Sequence, residues 1–204
     1  MSLAKADLFA LTETWLSEND DALRAGITPT GFKLIDHSRN NRRGGGTALL
    51  FRGNLNVQKI AAKELRSFEY LELIVSSGTF KVRLVILYRP PYSPSHPVTT
   101  STFFADFADY LETLILSTEP LLITGDFNVH VDDSTNPDAT RLLDLLDSMG
   151  LCQHVTHPTH ELGHTTDLII LRQSDSIICG SPVTDHLFSD HLSVLTTQIG
   201  RAHV

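Results

Sequence analysis

The sequence is poor in cysteine, in positive charge and in long apolar runs, and each shortage excludes a class of protein. Cys152 and Cys179 are the only two cysteines in 204 residues. Two thiols in a chain this long make no disulfide framework, and reduced cysteines are expected. Lys and Arg number 16 against 24 Asp and Glu, a formal charge of -8. That excludes a nucleic-acid affinity built on a broad basic surface, but not a local phosphate site organised by carboxylates and a divalent cation. No run approaches the roughly 18 apolar residues of a membrane helix, and residues 1–7 lack the apolar core of a secretory signal. The chain therefore reads as soluble, without a membrane or targeting segment. No internal repeat or low-complexity segment is evident. At 41% hydrophobic and 20% charged residues, the composition is that of a folded domain, and the length suits a single one.

Two helices stand out. Phe103, Phe104, Phe107, Tyr110, Leu111, Leu114 and Ile115 recur at helical spacing and predict a helix over 100–117. A second is predicted over 137–149, with Asn136 as its cap, Pro137 in its first turn and Gly150 just past its end. Its apolar face is Leu142, Leu145, Leu146 and Met149. Strand patterns cover 8–12, 32–35, 47–51, 70–75, 82–88, 121–124, 167–171, 176–178 and 193–197. The near-continuous apolar runs at 82–88 and 121–123 suit strands covered on both faces. Many strands with few helices predict a mixed α/β domain.

The polar residues with chemical promise sit at the ends of these strands. In Gly125-Asp126-Phe127-Asn128 an acid and an amide follow a buried strand and can orient and deprotonate a water; ordinary turn residues would read the same way. Ser189-Asp190-His191 sets a carboxylate beside an imidazole at a strand start, where metal ligation, phosphate binding or proton transfer are all open. The bare pair Asp185-His186 has no apolar run directly after it and reads as loop. Glu13 ends the first strand, and by itself could be a solvated carboxylate. Asp167 heads an apolar strand, a costly place for an acid unless a histidine pairs with it. Tyr88 ends another strand, as a donor to a phosphate oxygen or as an aromatic with a wet tip. Arg39, Arg42 and Arg43 precede Gly44-Gly45-Gly46, as a phosphate contact or a solvated loop. His154, His157, His160 and His164 form the densest histidine cluster. A zinc site is the sharp reading; Pro158, the Gly163 turn and the lack of cysteine ligands beyond Cys152 favour a loop.

The order Glu, Tyr, Asp-x-Asn, Asp, Ser-Asp-His resembles the endonuclease/exonuclease/phosphatase superfamily, whose fold is deoxyribonuclease I-like. Gly125-Asp126-Phe127-Asn128 and Ser189-Asp190-His191 are its most specific signatures. The wording of Leu11-Thr12-Glu13-Thr14-Trp15-Leu16, Tyr88-Arg89-Pro90-Pro91, Pro158-Thr159-His160 and Gly163-His164-Thr165-Thr166-Asp167-Leu168 is similar to the endonuclease domain of non-LTR retrotransposons. The resemblance spans nearly the whole chain. It implies an α/β four-layer sandwich of two mixed β-sheets packed face to face and flanked by helices. It further implies that Glu13 ligates Mg2+, with Mn2+ as a substitute, and that Asp190 lies close to the same metal. Asp126 would activate water with Asn128 holding it, His191 would bind the scissile phosphate with Asp167 aligning it, and Tyr88 would contact that phosphate. Arg42 and Arg43 are the candidate substrate-binding arginines.

The activity implied is a DNA endonuclease that nicks to leave a 3′-hydroxyl primer. DNA is the expected partner, with a reverse transcriptase domain in the parent polyprotein, a monomeric state and a nuclear location. The alternatives are another phosphoesterase of the same fold, acting on inositol phosphates, nucleotides or RNA, and an inactive remnant. The family's first core strand, with its asparagine, would precede the Glu13 strand. The expectation is therefore an N-terminally truncated domain over 1–198, short of that strand and with impaired activity. Residues 199–204 read as a non-native-looking tail.

Overall fold

The computed structural model describes residues 6–39, 44–186 and 189–198. In chain order its elements are β1 (Leu8–Thr12), α1 (Asp21–Ile27), β2 (Phe32–His37), β3 (Thr47–Arg52), β4 (Asn56–Glu64), β5 (Glu69–Ser77), β6 (Phe80–Tyr88), α2 (Thr100–Ile115), β7 (Leu121–Asp126), α3 (Pro137–Ser148), β8 (Leu151–Gln153), β9 (Asp167–Arg172), β10 (Ile178–Asp185) and β11 (Ser193–Gln198).

Six strands form one mixed sheet in the order β4-β5-β6-β7-β9-β8. Its parallel pair is β6 with β7, and α2 makes the crossover between them. Facing it are an antiparallel sheet, β1-β3-β2, and an antiparallel hairpin, β10-β11. Among the described residues, then, mixed pairing is confined to the larger sheet.

The two apolar faces of the larger sheet build two cores. One is packed by α2 and α3: Phe103, Phe107 and Leu111 of α2 and Leu142 and Leu146 of α3 close over Val85, Leu87, Ile123 and Ile170. The other lies between the sheets, where Leu49 and Phe51 of β3 meet Leu71, Leu73, Ile86, Leu122 and Ile169. This two-sided burial explains the unbroken apolar runs of β6 and β7. Beside the small sheet lies α1. That helix has no buried residue and is tied to β2 by Arg24, which donates to both carboxylate oxygens of Asp36 at 3.0 and 2.8 Å.

The helix ends obey the local chemistry. The Thr99 hydroxyl accepts the Thr102 N–H at the start of α2, and the Asn136 side chain accepts the Asp138 N–H at the start of α3, with Pro137 in its first turn. Three elements escape the periodicity argument. β4 is an edge strand rich in Lys, Gln and Ala and interrupted by a bulge between Lys59 and Ala61, so no apolar alternation marks it. β8 is only three residues long, and α1 lacks an apolar face. The strand predicted at 176–178 begins instead at Ile178 and runs to Asp185, so Asp185 ends a strand rather than lying in a loop.

Candidate active site

Three neighbouring strands of the larger sheet end together. The register sets Tyr88 of β6 beside Asp126 of β7, and Asp126 beside Asp167 of β9. Residues separated by 38 and 41 positions thus form one row at one sheet end. Gly125 permits the approach: its φ is +135°, and a Cβ there would lie 1.9 Å from the Leu87 carbonyl oxygen.

Asp126 is 3% exposed. Burial, then the nearby Asp167 carboxylate, push its pKa up to about 7, against the opposing pull of the Asn128 N–H and of His191. Asn128 takes a left-handed backbone, φ +48°, which brings both its N–H and its side-chain amide onto Asp126 at 2.9 Å. Its amide nitrogen also donates to the Arg89 carbonyl at 2.8 Å. Asp126 and Asn128 therefore do share one side, but by a left-handed turn rather than by strand alternation.

The second pair is Asp167 with His191. His191 Nδ1 lies 2.8 Å from an Asp167 carboxylate oxygen. That bond, against the opposing effect of burial, raises the imidazole pKa to about 9, so the ring is protonated at neutral pH. The Asp167 backbone is itself pinned, because the fully buried Thr159 hydroxyl accepts the N–H groups of Thr166 and Asp167, both at 3.0 Å.

The third pair is Glu13 with Tyr88. The Tyr88 hydroxyl donates to the Glu13 carboxylate, which also accepts the Trp15 indole N–H at 3.4 Å. Burial and that bond raise the Tyr88 pKa. Glu13 and Trp15 both adopt positive φ, +51° and +56°, a strained backbone stretch held by Thr14 and Trp15 N–H bonds to the carbonyls of Gly46 and Gly45.

Not every expected residue joins these pairs. Among the described residues, two groups of three potential ligands exist: Asp126, Asp167 and His191, and His160, Asp190 and His191. Glu13 is in neither, so it does not share a ligand group with Asp190, whose carboxylate lies 3.6 Å from His160 Nε2. The four histidines of the candidate zinc cluster scatter: His164 stacks on His130 at 3.8 Å and meets Asp132, while His160 packs edge-on against His191 at 4.9 Å. Cys152 and Cys179 are both exposed free thiols. Arg42, Arg43, Phe188 and the tail 199–204 lie outside the described residues. Arg39 is turned inward, pairing with buried Glu69 and standing 5.7 Å over the Tyr88 ring, so it is not a solvated loop residue.

Sequence reasoning gave Arg89 and Thr159 no role and weighed His160 only as a zinc ligand. Arg89, 6% exposed, donates to the carbonyls of Phe127 and Asn128 at 3.1 and 2.8 Å and stacks over Phe103 at 4.9 Å, so it props up the Asp126–Asn128 turn. All three sit in segments that carry the resemblance, beside residues with a visible role; that proximity was the one available signal.

Burial, then the nearby Asp167 and, more weakly, Glu13 carboxylates raise the Asp126 pKa; a hard divalent cation, which oxygen ligands suit, would offset that like charge. No helix among the described residues is long and apolar enough to cross a membrane.

No curated protein matches the chain significantly. Among solved structures it is similar to the endonuclease domain of TRAS1, a telomere-specific non-LTR retrotransposon, with 14% identity and a TM-score of 0.69 over 96% of this chain and 87% of that one. It is similar to D. rerio TDP2 complexed with single strand DNA product, with 12% identity and a TM-score of 0.65 over 97% and 88% of the two chains. A Bacteroides thetaiotaomicron mannosyl-6-phosphatase gives 15% identity and a TM-score of 0.62 over 95% and 85%. At such identities these likenesses establish the α/β fold alone. The model of the endonuclease/exonuclease/phosphatase family matches residues 1–191, and the chain belongs to that family.

Proposed function

We propose that this chain is a metal-dependent phosphodiester hydrolase acting on DNA, a retrotransposon-type endonuclease that nicks one strand and leaves a 3′-hydroxyl. One observation carries the reading: a buried carboxylate with a pKa near 7 stands beside a protonated imidazole, at the shared end of three strands. A base and a cation so placed suit attack of water on a phosphate anion.

Asp126 accepts the proton of the attacking water while Asn128 holds the carboxylate in place. The water oxygen attacks phosphorus, the P–O3′ bond breaks and the departing O3′ takes a proton from solvent, which leaves a 5′-phosphate and a 3′-hydroxyl. His191, held cationic by Asp167, binds the non-bridging oxygens. Tyr88 lies within reach of the same phosphate once its hydroxyl leaves Glu13. Glu13 would hold Mg2+ or Mn2+, with Asp190 beside it, and when bound the cation would offset the charge on the phosphate. With a net charge of -8, affinity for DNA comes from this local site rather than from a broad basic surface. A nuclear location and a reverse transcriptase in the same polyprotein belong to this reading.

The test incubates the chain with supercoiled plasmid and, separately, with a soluble phosphate monoester, each with Mg2+. Nicked circles whose ends a DNA polymerase extends, lost in Asp126→Asn and in His191→Ala, support the proposal. Release of phosphate from the monoester without nicking overturns it in favour of a small-molecule phosphatase, the reading that the acidic net charge favours.

A further inference from the structure

Beside the site, the turn that contains Pro158-Thr159-His160 is laced to the Ser189-Asp190-His191 segment. Leu192 N–H donates to the Thr159 carbonyl at 2.7 Å, Glu161 N–H donates to the Asp190 carbonyl at 2.9 Å, and His160 and His191 form a β-bridge. Their rings meet edge to face, 4.9 Å apart and at 84°. A ring nitrogen of each and a carboxylate oxygen of Asp190 lie within 4.8 Å of one another.

Such a trio could hold a metal, but the hydrogen bonds point elsewhere. His160 Nδ1 accepts the Leu162 N–H at 3.1 Å, which leaves the proton of the neutral ring on Nε2, the atom nearer Asp190. A metal on Nε2 would need that lone pair, and so a proton on Nδ1, where the Leu162 N–H already points. His191 commits Nδ1 to Asp167, which leaves Nε2 as the ring nitrogen for a ligand. Two imidazole rings therefore flank a single carboxylate that is 61% exposed and, at 3.6 Å from His160 Nε2, too far for a formed hydrogen bond.

We propose that His160 and His191 together form an oxyanion cradle for the substrate phosphate, that His160 is a substrate-binding residue, and that the Asp190 carboxylate stands in for the anion until substrate displaces it. The inference rests on the phosphodiesterase reading only for the identity of the anion. Binding puts a phosphate oxygen where the Asp190 carboxylate stands between the two rings, so little new ordering is needed. It also frees Asp190 to turn from His160 toward the Glu13 side of the site.

Inorganic phosphate is the probe, added without metal to protein labelled with 15N in its histidines. The Nε2 resonances of His160 and His191 are expected to move together, with one saturation curve. His160→Ala should weaken phosphate binding about tenfold or more, the loss of one charge-assisted hydrogen bond. His160→Gln, which returns a donor near the same place, should restore most of it. Asp190→Asn should tighten phosphate binding, a result that a merely structural role for Asp190 would not produce. A phosphate titration that moves His191 alone, or none of the histidines, overturns the proposal; so does weaker phosphate binding by Asp190→Asn. The titration of the unmodified chain stands whether or not the variants fold. Because it reads binding rather than turnover, a chain that binds phosphate this way but nicks no DNA would sink the nuclease reading and leave the cradle intact.

Discussion

Gly125→Ala is the sharpest test of how the site is held in place. The residue lies one position before Asp126, in register with Leu87 across the parallel β6–β7 pair. An alanine there meets two costs. Its φ of +135° lies where L side chains rarely go, and holding one there costs about 1–3 kcal/mol. Its Cβ would also sit 1.9 Å from the Leu87 carbonyl oxygen, where real Cβ contacts essentially never fall below 3.0 Å. The obstacle is backbone, so β6 and β7 must part by about 1 Å, and each ladder bond lost adds about 1 kcal/mol. With two such bonds lost, the costs together come to about 3–5 kcal/mol, a large part of the stability of an ordinary domain.

Gly78→Ala is the matched control. Its φ is also positive, +58°, but nothing lies within 4 Å of its Cβ position, so only the conformational cost of about 1–2 kcal/mol applies. Urea unfolding of both variants, followed by far-UV circular dichroism and extrapolated linearly, gives the comparison. Gly125→Ala should lose at least about 2 kcal/mol more than Gly78→Ala. Equal losses would refute the claim that backbone contact at Leu87 demands glycine.

Three further outcomes follow from the site. Hydrolysis should show a bell-shaped pH profile: it rises through about pH 7 as Asp126 loses its proton and falls through about pH 9 as His191 loses its own. In Asp167→Asn the alkaline limb should move toward the ordinary histidine range, and a limb that stays put would dissociate His191 from the profile. The same shifts set the pH dependence of stability. Both folded-state pKa values lie above the unfolded ones, so both contributions are complete at low pH. The Asp126 part is lost as pH rises through about 7 and the His191 part as it rises through about 9, which chemical denaturation across that range would detect. Thr159→Val, close in shape, removes the acceptor of two buried N–H groups and should cost about 2 kcal/mol by urea unfolding, with kcat falling more than KM rises because Asp167 loses its anchor.

The amino-acid sequence alone determined the kind of domain and the identity of most of its chemistry. Apolar periodicity over 100–117 and 137–149 marked α2 and α3, and the unbroken runs before Tyr88 and Asp126 marked strands covered on both sides, because burial on two faces leaves no polar alternation. The order of Glu13, Tyr88, Asp126, Asn128, Asp167 and His191 pointed to phosphoester chemistry through its resemblance to a known family. The edge strand β4 was invisible for the converse reason: an edge exposes polar side chains and erases the pattern that periodicity depends on.

Only the tertiary structure decided how those residues pair. Registers between strands distant in sequence set Tyr88, Asp126 and Asp167 in one row, and no local pattern encodes a register. Left-handed turns at Glu13 and Asn128, the inward turn of Arg39 and the seating of His160 against His191 depend on what surrounds them. The scarce positive charge noted in the sequence acquires its meaning there as well. Burial and like charges raise the Asp126 pKa to about 7 while the Asp167 bond raises that of His191, so an acid and an imidazole that both hold their protons more tightly than usual are set side by side inside an acidic protein. Composition counts charges; only the fold sets the distance and the solvent between them.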